Sequence, residues 1–375
     1  MRIAFVKKKF SVHGGAERYL ETLIAAFKKN GHEIHIFANN WTDTQDVIFH
    51  KVPVVSFNSY LSVASFNRNV CGMIKSGWRN DCVISLERTA CQDIYRAGEG
   101  CHAEWLEIRS RYEPALKRAS FKLNPLHRAM LDIEKKLFQN TPLIVANSNM
   151  VKRHIIKHYG VEEARITVIY NGVDLERFSF QNRDGLRNGL RKDLSMSEDA
   201  KIILFVGTGF ERKGLKTLIE ACSLLKEKNA RLIVVGKGKI QKYAKQAADS
   251  GIGERAIFLD AQKDIERFYA AADLFVLPTL YDPFSNATLE AMASGLAVIT
   301  TRNNGAAELV AAGQNGFVTE ALGDATELAG KMDAALRNSV EMGKAARATA
   351  ESYPVENAVK GFYGLINKVG ESKDR

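Results

Sequence analysis

Two doubly wound parallel sheets of Rossmann-like α/β design are predicted by three observations on the sequence. Short apolar runs alternate with helical stretches, as parallel strands joined by crossover helices require. The pattern lapses after residue 172 and restarts with a new strand, loop and helix. The chain, at 375 residues, exceeds one ordinary core and suits two domains of roughly 150–200 residues each. The expected division is residues 1–172, joined by a C-terminal helix 355–375 that crosses back, and residues 173–354.

In the first half, residues 3–6 read as a strand, and the loop 7–15 closes on Gly14-Gly15 ahead of a helix at 16–27. Leu20, Leu23, Ile24 and Phe27 form one apolar stripe along that helix. Gly31 ends it, and a strand at 33–37 completes a right-handed crossover unit. Further strands are expected at 82–86, 143–146 and 166–170.

Residues 174–201, polar and glycine-bearing, are the expected linker. Strands then fall at 202–206, 232–235, 257–259, 274–277 and 297–300, with a helix at 215–226. Asn315-Gly316 marks a turn. The final helical region breaks at Tyr353-Pro354, since a residue before proline avoids the helical conformation. After the break Val355, Val359, Phe362 and Ile366 share one face.

The strongest functional signal is PTLYDPFSNATLEAMASGLAVITT, residues 278–301. It reads as a strand end, a polar loop, a helix from Asn286 and another strand. Amides of residues 284–287 lack intrahelical partners and suit phosphate or sugar oxygens beyond the strand end. Asp282 before them and Glu290 after them accept hydrogen bonds from hydroxyl groups. A ligand bearing both phosphate and hydroxyls, a nucleotide sugar, matches that set.

A second loop, GTGFERKG at 207–214, joins a strand to a helix at the sheet edge where open α/β folds bind ligands. Gly207, Arg212 and Lys213 make it a pyrophosphate clamp; the bland reading is a pair of surface cations. It has neither Walker nor G-x-G-x-x-G spacing. Gly236 and Gly238 end a strand, either near a ligand or as a plain turn. Gly14 and Gly15 either admit a ligand to the backbone or form a tight turn, and His13 beside them reads as a surface residue. In RAGEGCHAEW, residues 96–105, Glu99, His102 and Glu104 either orient an acceptor hydroxyl or are salt-bridged loop residues. All eight histidines precede Asn171, so any histidine chemistry belongs to the first half.

Composition excludes several classes. A hydrophobic content of 46% with 26% charged residues is globular, which argues against disorder. No run is long and apolar enough to cross a bilayer, and lysines occupy the place of a signal peptide's apolar core, so a cytoplasmic protein is expected. The five cysteines lack zinc-site spacing and read as buried free thiols. There is no Asp-x-Asp, His-Glu-x-x-His or G-x-S-x-G, so no metal is expected at a diphosphate. Of the net charge of +10, residues 1–170 carry +9, from 25 Lys+Arg against 16 Asp+Glu. Nucleic acid and an anionic membrane are the surfaces such a half could face. Residues 105–136 interleave Trp105, Tyr112, Phe121 and several leucines with eight cations and four acids. That pattern suits an anionic membrane interface, or else amphipathic helices packed on the sheet.

Taken together, GGAER (14–18), YNGVD (170–174), LFVGTGFERKGLKTLIEA (204–221), the acid-spaced stretch 282–290, NNGAAELV and GQNGFV resemble glycosyltransferase family 4 across nearly the whole chain. RAGEGCHAEW and FERKG resemble most the branch that adds the first glucose to the inner-core heptose of lipopolysaccharide. The resemblance implies a GT-B fold, two Rossmann-like domains facing across a cleft, and retaining, metal-independent transfer. Lys213 and Arg212 would hold the donor diphosphate, Glu290 the ribose hydroxyls and Asp282 a hydroxyl of the transferred sugar. Amides at Phe284, Ser285 and Asn286 would complete the cradle, and Gly14 and Gly15 would approach the diphosphate from the other side. Two positions depart from the family pattern. Asp282 stands where glutamate is usual, and Thr208-Gly209 replace a common arginine, whose part Arg212 would take. The implied donor is UDP-glucose and the implied acceptor a saccharide or glycolipid, with no cofactor and no nucleic acid. Competing readings are a nucleotide-sugar epimerase of the same fold and a non-catalytic sugar-binding protein.

Overall fold

The computed structural model describes residues 1–9, 15–41, 47–76, 81–179 and 183–373. It divides the chain into one compact unit of Met1–Asn171 with Glu356–Arg375 and another of Gly172–Val355.

Among the described residues the first unit holds seven parallel strands: β1 (Arg2–Val6), β2 (Glu33–Ala38), β3 (Ile48–Lys51), β4 (Cys82–Ser85), β5 (Ile94–Arg96), β6 (Leu143–Ala146) and β7 (Ile166–Val168). Their order is β3-β2-β1-β4-β5-β6-β7, so the winding reverses between β1 and β4. Helix Gly15–Lys29 lays Leu20, Leu23 and Phe27, all fully buried, onto the sheet. The C-terminal helix Val355–Lys373 joins the same cluster through Phe362, Leu365, Ile366 and Val369. Tyr363 meets Phe27 edge-on at 4.7 Å and donates to the Ala26 carbonyl at 2.9 Å. Strand β3 has no alternating pattern and three of its four residues are exposed. An edge strand held by one neighbour buries no apolar face, and periodicity does not reveal it.

The second unit repeats the design with β8 (Lys201–Val206), β9 (Ala230–Val235), β10 (Ala256–Leu259), β11 (Leu274–Leu277), β12 (Ala297–Thr301) and β13 (Gly316–Thr319). The order β10-β9-β8-β11-β12-β13 reverses between β8 and β11. Gly316, expected in a turn, instead opens β13, and a Cβ there would lie 2.0 Å from the Val298 carbonyl oxygen.

Two expectations are corrected. The stretch 174–201 is not a linker: it contains the helix Arg183–Asp193, packed within the second unit. Its arginines hide the fact, because they bind polar groups instead of burying an apolar stripe. Arg187 and Arg191 donate to Asp273 at 2.9 and 3.1 Å, and Arg187 also caps the Ala271 carbonyl at 2.7 Å, where helix Ile265–Ala271 ends. The cysteines are not all free either. Cys71, on helix Ser59–Lys75, is disulfide-bonded to Cys91 in the loop after β4, with Cα atoms 5.4 Å apart, while Cys82, Cys101 and Cys222 are buried thiols. Twenty residues separate the pair, and only the docking of the helix beside that loop makes them neighbours.

Candidate active site

In open α/β sheets ligands bind beyond the carboxyl ends of the strands where the winding reverses. In the second unit that place lies beyond β8 and β11, and both sequence-singled loops arrive there. Gly207 follows β8, its N–H donating to the Val235 carbonyl at 3.0 Å, and the Lys213 stem passes where a Gly207 Cβ would meet it at 3.4 Å. Gly214, at φ +77°, opens helix Leu215–Leu224 so close to the next strand end that a Cβ would lie 1.9 Å from the Pro278 oxygen. Gly236, at φ +143°, is pressed equally hard on the Gly207 carbonyl. Both positions therefore require glycine, and Gly236 is a buttress of the cation loop.

Lys213 and Asp282 form an ion pair, with side chains 11% and 8% exposed. Burial pulls the Lys213 pKa below its ordinary value, and Asp282 opposes that shift. Among the described residues the ammonium thus has one carboxylate partner, in a partly desolvated site where a charge is costly unless paired. Arg212 donates from Nη1 to the Tyr281 carbonyl at 2.7 Å, and its own carbonyl accepts from Leu280 N–H at 2.8 Å. Loop and strand end are laced together by these backbone contacts.

Helix Asn286–Ala293 begins where expected, capped by Ser285, whose hydroxyl accepts from Thr288 N–H at 3.3 Å. One expectation for its amides is corrected: Ser285 N–H is not open to a ligand, because it donates to Asn304 Oδ1 at 3.1 Å. Asn304, 1% exposed, also accepts from Ala306 N–H at 3.1 Å and donates to Thr300 and Thr288 hydroxyls at 2.9 and 3.2 Å. It ties the helix start to the end of β12. Phe284 and Asp282 are buried beside this cap. Glu290, a turn into the helix, accepts at 2.9 Å from the hydroxyl of the fully buried Tyr269. Sequence reasoning passed over Tyr269 and Asn304; the second lies inside the quoted motif NNGAAELV, whose only visible feature is its asparagine pair.

The first unit has a corresponding place beyond β1 and β4. Lys7, Lys8, Lys9, Glu87, Arg88 and Glu99, with Val63, Phe66 and Met130, line a pocket of about 340 Å³. Glu99 pairs with Arg88 and lies 3.9 Å from Lys7; burial works against its charge, but these two cations hold its pKa below the usual carboxylate range. Arg88 is itself anchored by the fully buried Glu134 at 2.7 Å and by the Gly100 carbonyl at 3.3 Å. Burial disfavours the guanidinium charge, and Glu134 and Glu99 outweigh it. His102 is not part of the lining. It opens helix His102–Tyr112, donates its N–H to Glu134, and its Nε2 faces His127 Nδ1 at 3.0 Å. Burial, then Arg88, lowers its pKa to about 3. Gly14 and His13 lie outside the described residues, and Gly15 opens helix Gly15–Lys29. Lys7, Glu87, Arg88 and Glu134 carry no motif, so nothing in the sequence singles them out.

Residues 13–177 match the family described as Glycosyltransferase Family 4, and residues 187–352 match Glycosyl transferases group 1. The chain is 27% identical over 335 residues to the lipopolysaccharide glucosyltransferase WaaG of Escherichia coli K12, covering 85% of each. It is 35% identical over 224 residues to the lipopolysaccharide core biosynthesis glycosyltransferase LpsE of Rhizobium meliloti, covering 59% of this chain and 61% of LpsE. Among solved structures, WaaG superposes with a TM-score of 0.85 at 24% identity over 97% of this chain and 99% of that one. Anabaena HepE, in complex with UDP and glucose, gives 0.75 at 20% identity over 98% and 99%. With a family 4 domain on the first sheet, a group 1 domain on the second and a fold shared with WaaG, the chain belongs to the GT-B glycosyltransferases.

Proposed function

We propose that this glycosyltransferase moves glucose from UDP-glucose to a saccharide or glycolipid acceptor of the lipopolysaccharide core or a related cell-surface glycan, with retention and without a metal at the diphosphate. The observation that carries the reading is the Lys213–Asp282 pair at the reversal point of the second unit. Lys213 exchanges its carboxylate for the donor diphosphate, and the Asp282 carboxylate, released, accepts a hydroxyl of the sugar. Arg212, anchored on Tyr281, adds a second cation, and Glu290, oriented by Tyr269, takes the ribose hydroxyls.

As the glycosidic bond breaks, negative charge grows on the departing diphosphate, and fixed cations stabilise that charge more than they stabilise the ground state. In the retaining reading the acceptor attacks from the face of the leaving group, whose phosphate oxygen receives the acceptor proton. The first unit supplies the acceptor pocket, with Glu99 accepting hydroxyls at its edge, and His102 holds the loop from behind. The names of WaaG and LpsE favour a lipopolysaccharide acceptor, and HepE's ligands favour UDP and glucose.

A peripheral position on the inner face of the cytoplasmic membrane accompanies this reading. Among the described residues no helix is long and apolar enough to cross a membrane. Helix Ala115–Leu123 leaves Leu123 73% exposed, Tyr112 before it is 47% exposed, and Arg109 stacks over Phe121 at 4.5 Å. Apolar tips beside cations suit an anionic headgroup layer. The deciding experiment offers UDP-, GDP- and ADP-glucose with a heptose-terminated core acceptor, with and without EDTA. Glucosylated product of retained configuration from UDP-glucose in both conditions is expected. Hydrolysis or epimerisation alone, or loss of transfer with EDTA at an unchanged Tm, overturns the reading.

A further inference from the structure

Away from both reversal points, the first unit gathers a different set of side chains. Helix His102–Tyr112 carries Glu104 and Glu107, and helix Asn149–Tyr159 carries His154 and His158. Spacings of three and four residues put each pair on one helical face, and the two faces meet. His158 Nε2 lies 2.7 Å from one Glu104 oxygen and 3.8 Å from Glu107, and His154 Nε2 lies 3.7 Å from the other Glu104 oxygen. Donor atoms of Glu104, Glu107 and His158 all fall within 4.8 Å of one another.

A cation already sits at this spot. Lys157 places its ammonium 2.9 Å from Glu104 and 2.7 Å from Glu107. Its side chain is 48% exposed on a flexible stem, so it can withdraw to solvent. Arg111, 60% exposed, pairs with Glu107 at 2.8 Å and can leave in the same way. Glu104 cannot follow: it is only 9% exposed, and without a cation it would be a carboxylate left in a poorly hydrated place.

We propose that Glu104, Glu107 and His158 bind a divalent ion of the zinc class, which displaces the Lys157 ammonium and cross-links the two helices. One imidazole and two carboxylates, with the fourth position left to solvent, lie within the nitrogen and oxygen ligand set of zinc, whereas magnesium and calcium prefer all-oxygen shells. Charge balances, since the ion's two positive charges meet two carboxylates. The ion would fasten the helix that begins just after the Glu99 loop, stiffening the first unit without touching the donor cradle.

The test uses the full chain, stripped with chelator and titrated with Zn²⁺ by calorimetry, with Co²⁺ by visible absorption, and with Mg²⁺ as the control. One Zn²⁺ per chain is expected, together with intense Co²⁺ bands of a four-coordinate site and a Tm that rises with free Zn²⁺. His158→Ala should weaken Zn²⁺ binding at least about tenfold. Lys157→Ala, which removes the exposed competitor, should tighten it. The proposal fails if Zn²⁺ neither binds nor raises the Tm, if the Co²⁺ bands are absent, if Mg²⁺ binds equally well, if His158→Ala binds as the parent does, or if Lys157→Ala leaves the affinity unchanged. These readouts are binding and melting, so their failure leaves the donor reading standing, and failure of the donor reading leaves them standing.

Discussion

Lys213 in the second unit stands against a single carboxylate inside a frame of backbone contacts, whereas Arg88 in the first stands among Glu99, Glu134 and the Gly100 carbonyl. Both occupy the reversal point of a doubly wound parallel sheet, yet their donors are spent differently. Arg88 uses Nε, Nη1 and Nη2 on protein partners, which fixes the shape of its pocket and neutralises its charge. Lys213 has three donors and one carboxylate, and glycine contacts rather than salt bridges hold its loop in place. A cation that must meet a charged ligand is best held by its backbone; a cation that must hold a wall is best held by its side chain.

The largest effect should come from breaking the wall. Glu134→Ala leaves Arg88 buried with its main partner gone, at a cost of about 3–5 kcal/mol, measurable by urea denaturation; a loss below about 1 kcal/mol, within the range of an ordinary surface pair, would show that the network is not what orders the first pocket. Breaking the cradle should instead spare the fold. Lys213→Ala is expected to keep the circular dichroism spectrum and lose about 10²–10³ in transfer rate, and near-parental turnover would remove this loop from the donor site.

Acid should separate the units further. The second contains no histidine, while the first buries His102, whose pKa falls to about 3 by burial and then by Arg88. The folded value lies below the unfolded value of about 6.5, so the contribution of the neutral ring is complete above that pH and is lost as pH falls toward 3. The slope is about 1.4 kcal/mol per pH unit for one such group. His102→Asn should flatten the pH dependence of stability between pH 6.5 and 4, and an unchanged slope would mean the ring is not held neutral. Smallest of all, Tyr269→Phe deletes one hydrogen bond, worth about 1 kcal/mol, and should raise the donor KM several-fold at constant kcat. An unaltered KM would show that Glu290 needs no such support.

Much of the second unit's candidate site was legible because its signals are local. A strand, a glycine loop and a helix start lie within a few residues of one another, and Lys213, Asp282 and Glu290 each sit in such a segment. The first unit's pocket was largely illegible. Arg88 meets Glu134 across 46 residues and Glu99 across 11, and no spacing rule connects them. His102 was visible as a residue but not as a buried one, since the helix that covers it arrives from elsewhere in the chain.

Periodicity and punctuation by glycine and proline, which act through backbone geometry over a turn or two, determined two parallel sheets, most of their strands and the cation loop. Only the tertiary structure decided the partners: Asn304 on the Ser285 amide, Tyr269 on Glu290, Cys71 on Cys91, and Arg187 and Arg191 on Asp273. Each of these pairs is made by strand order and helix docking, which bring distant residues within hydrogen-bond or bonding reach, and a linear chain carries no local mark of where its sheet will place them.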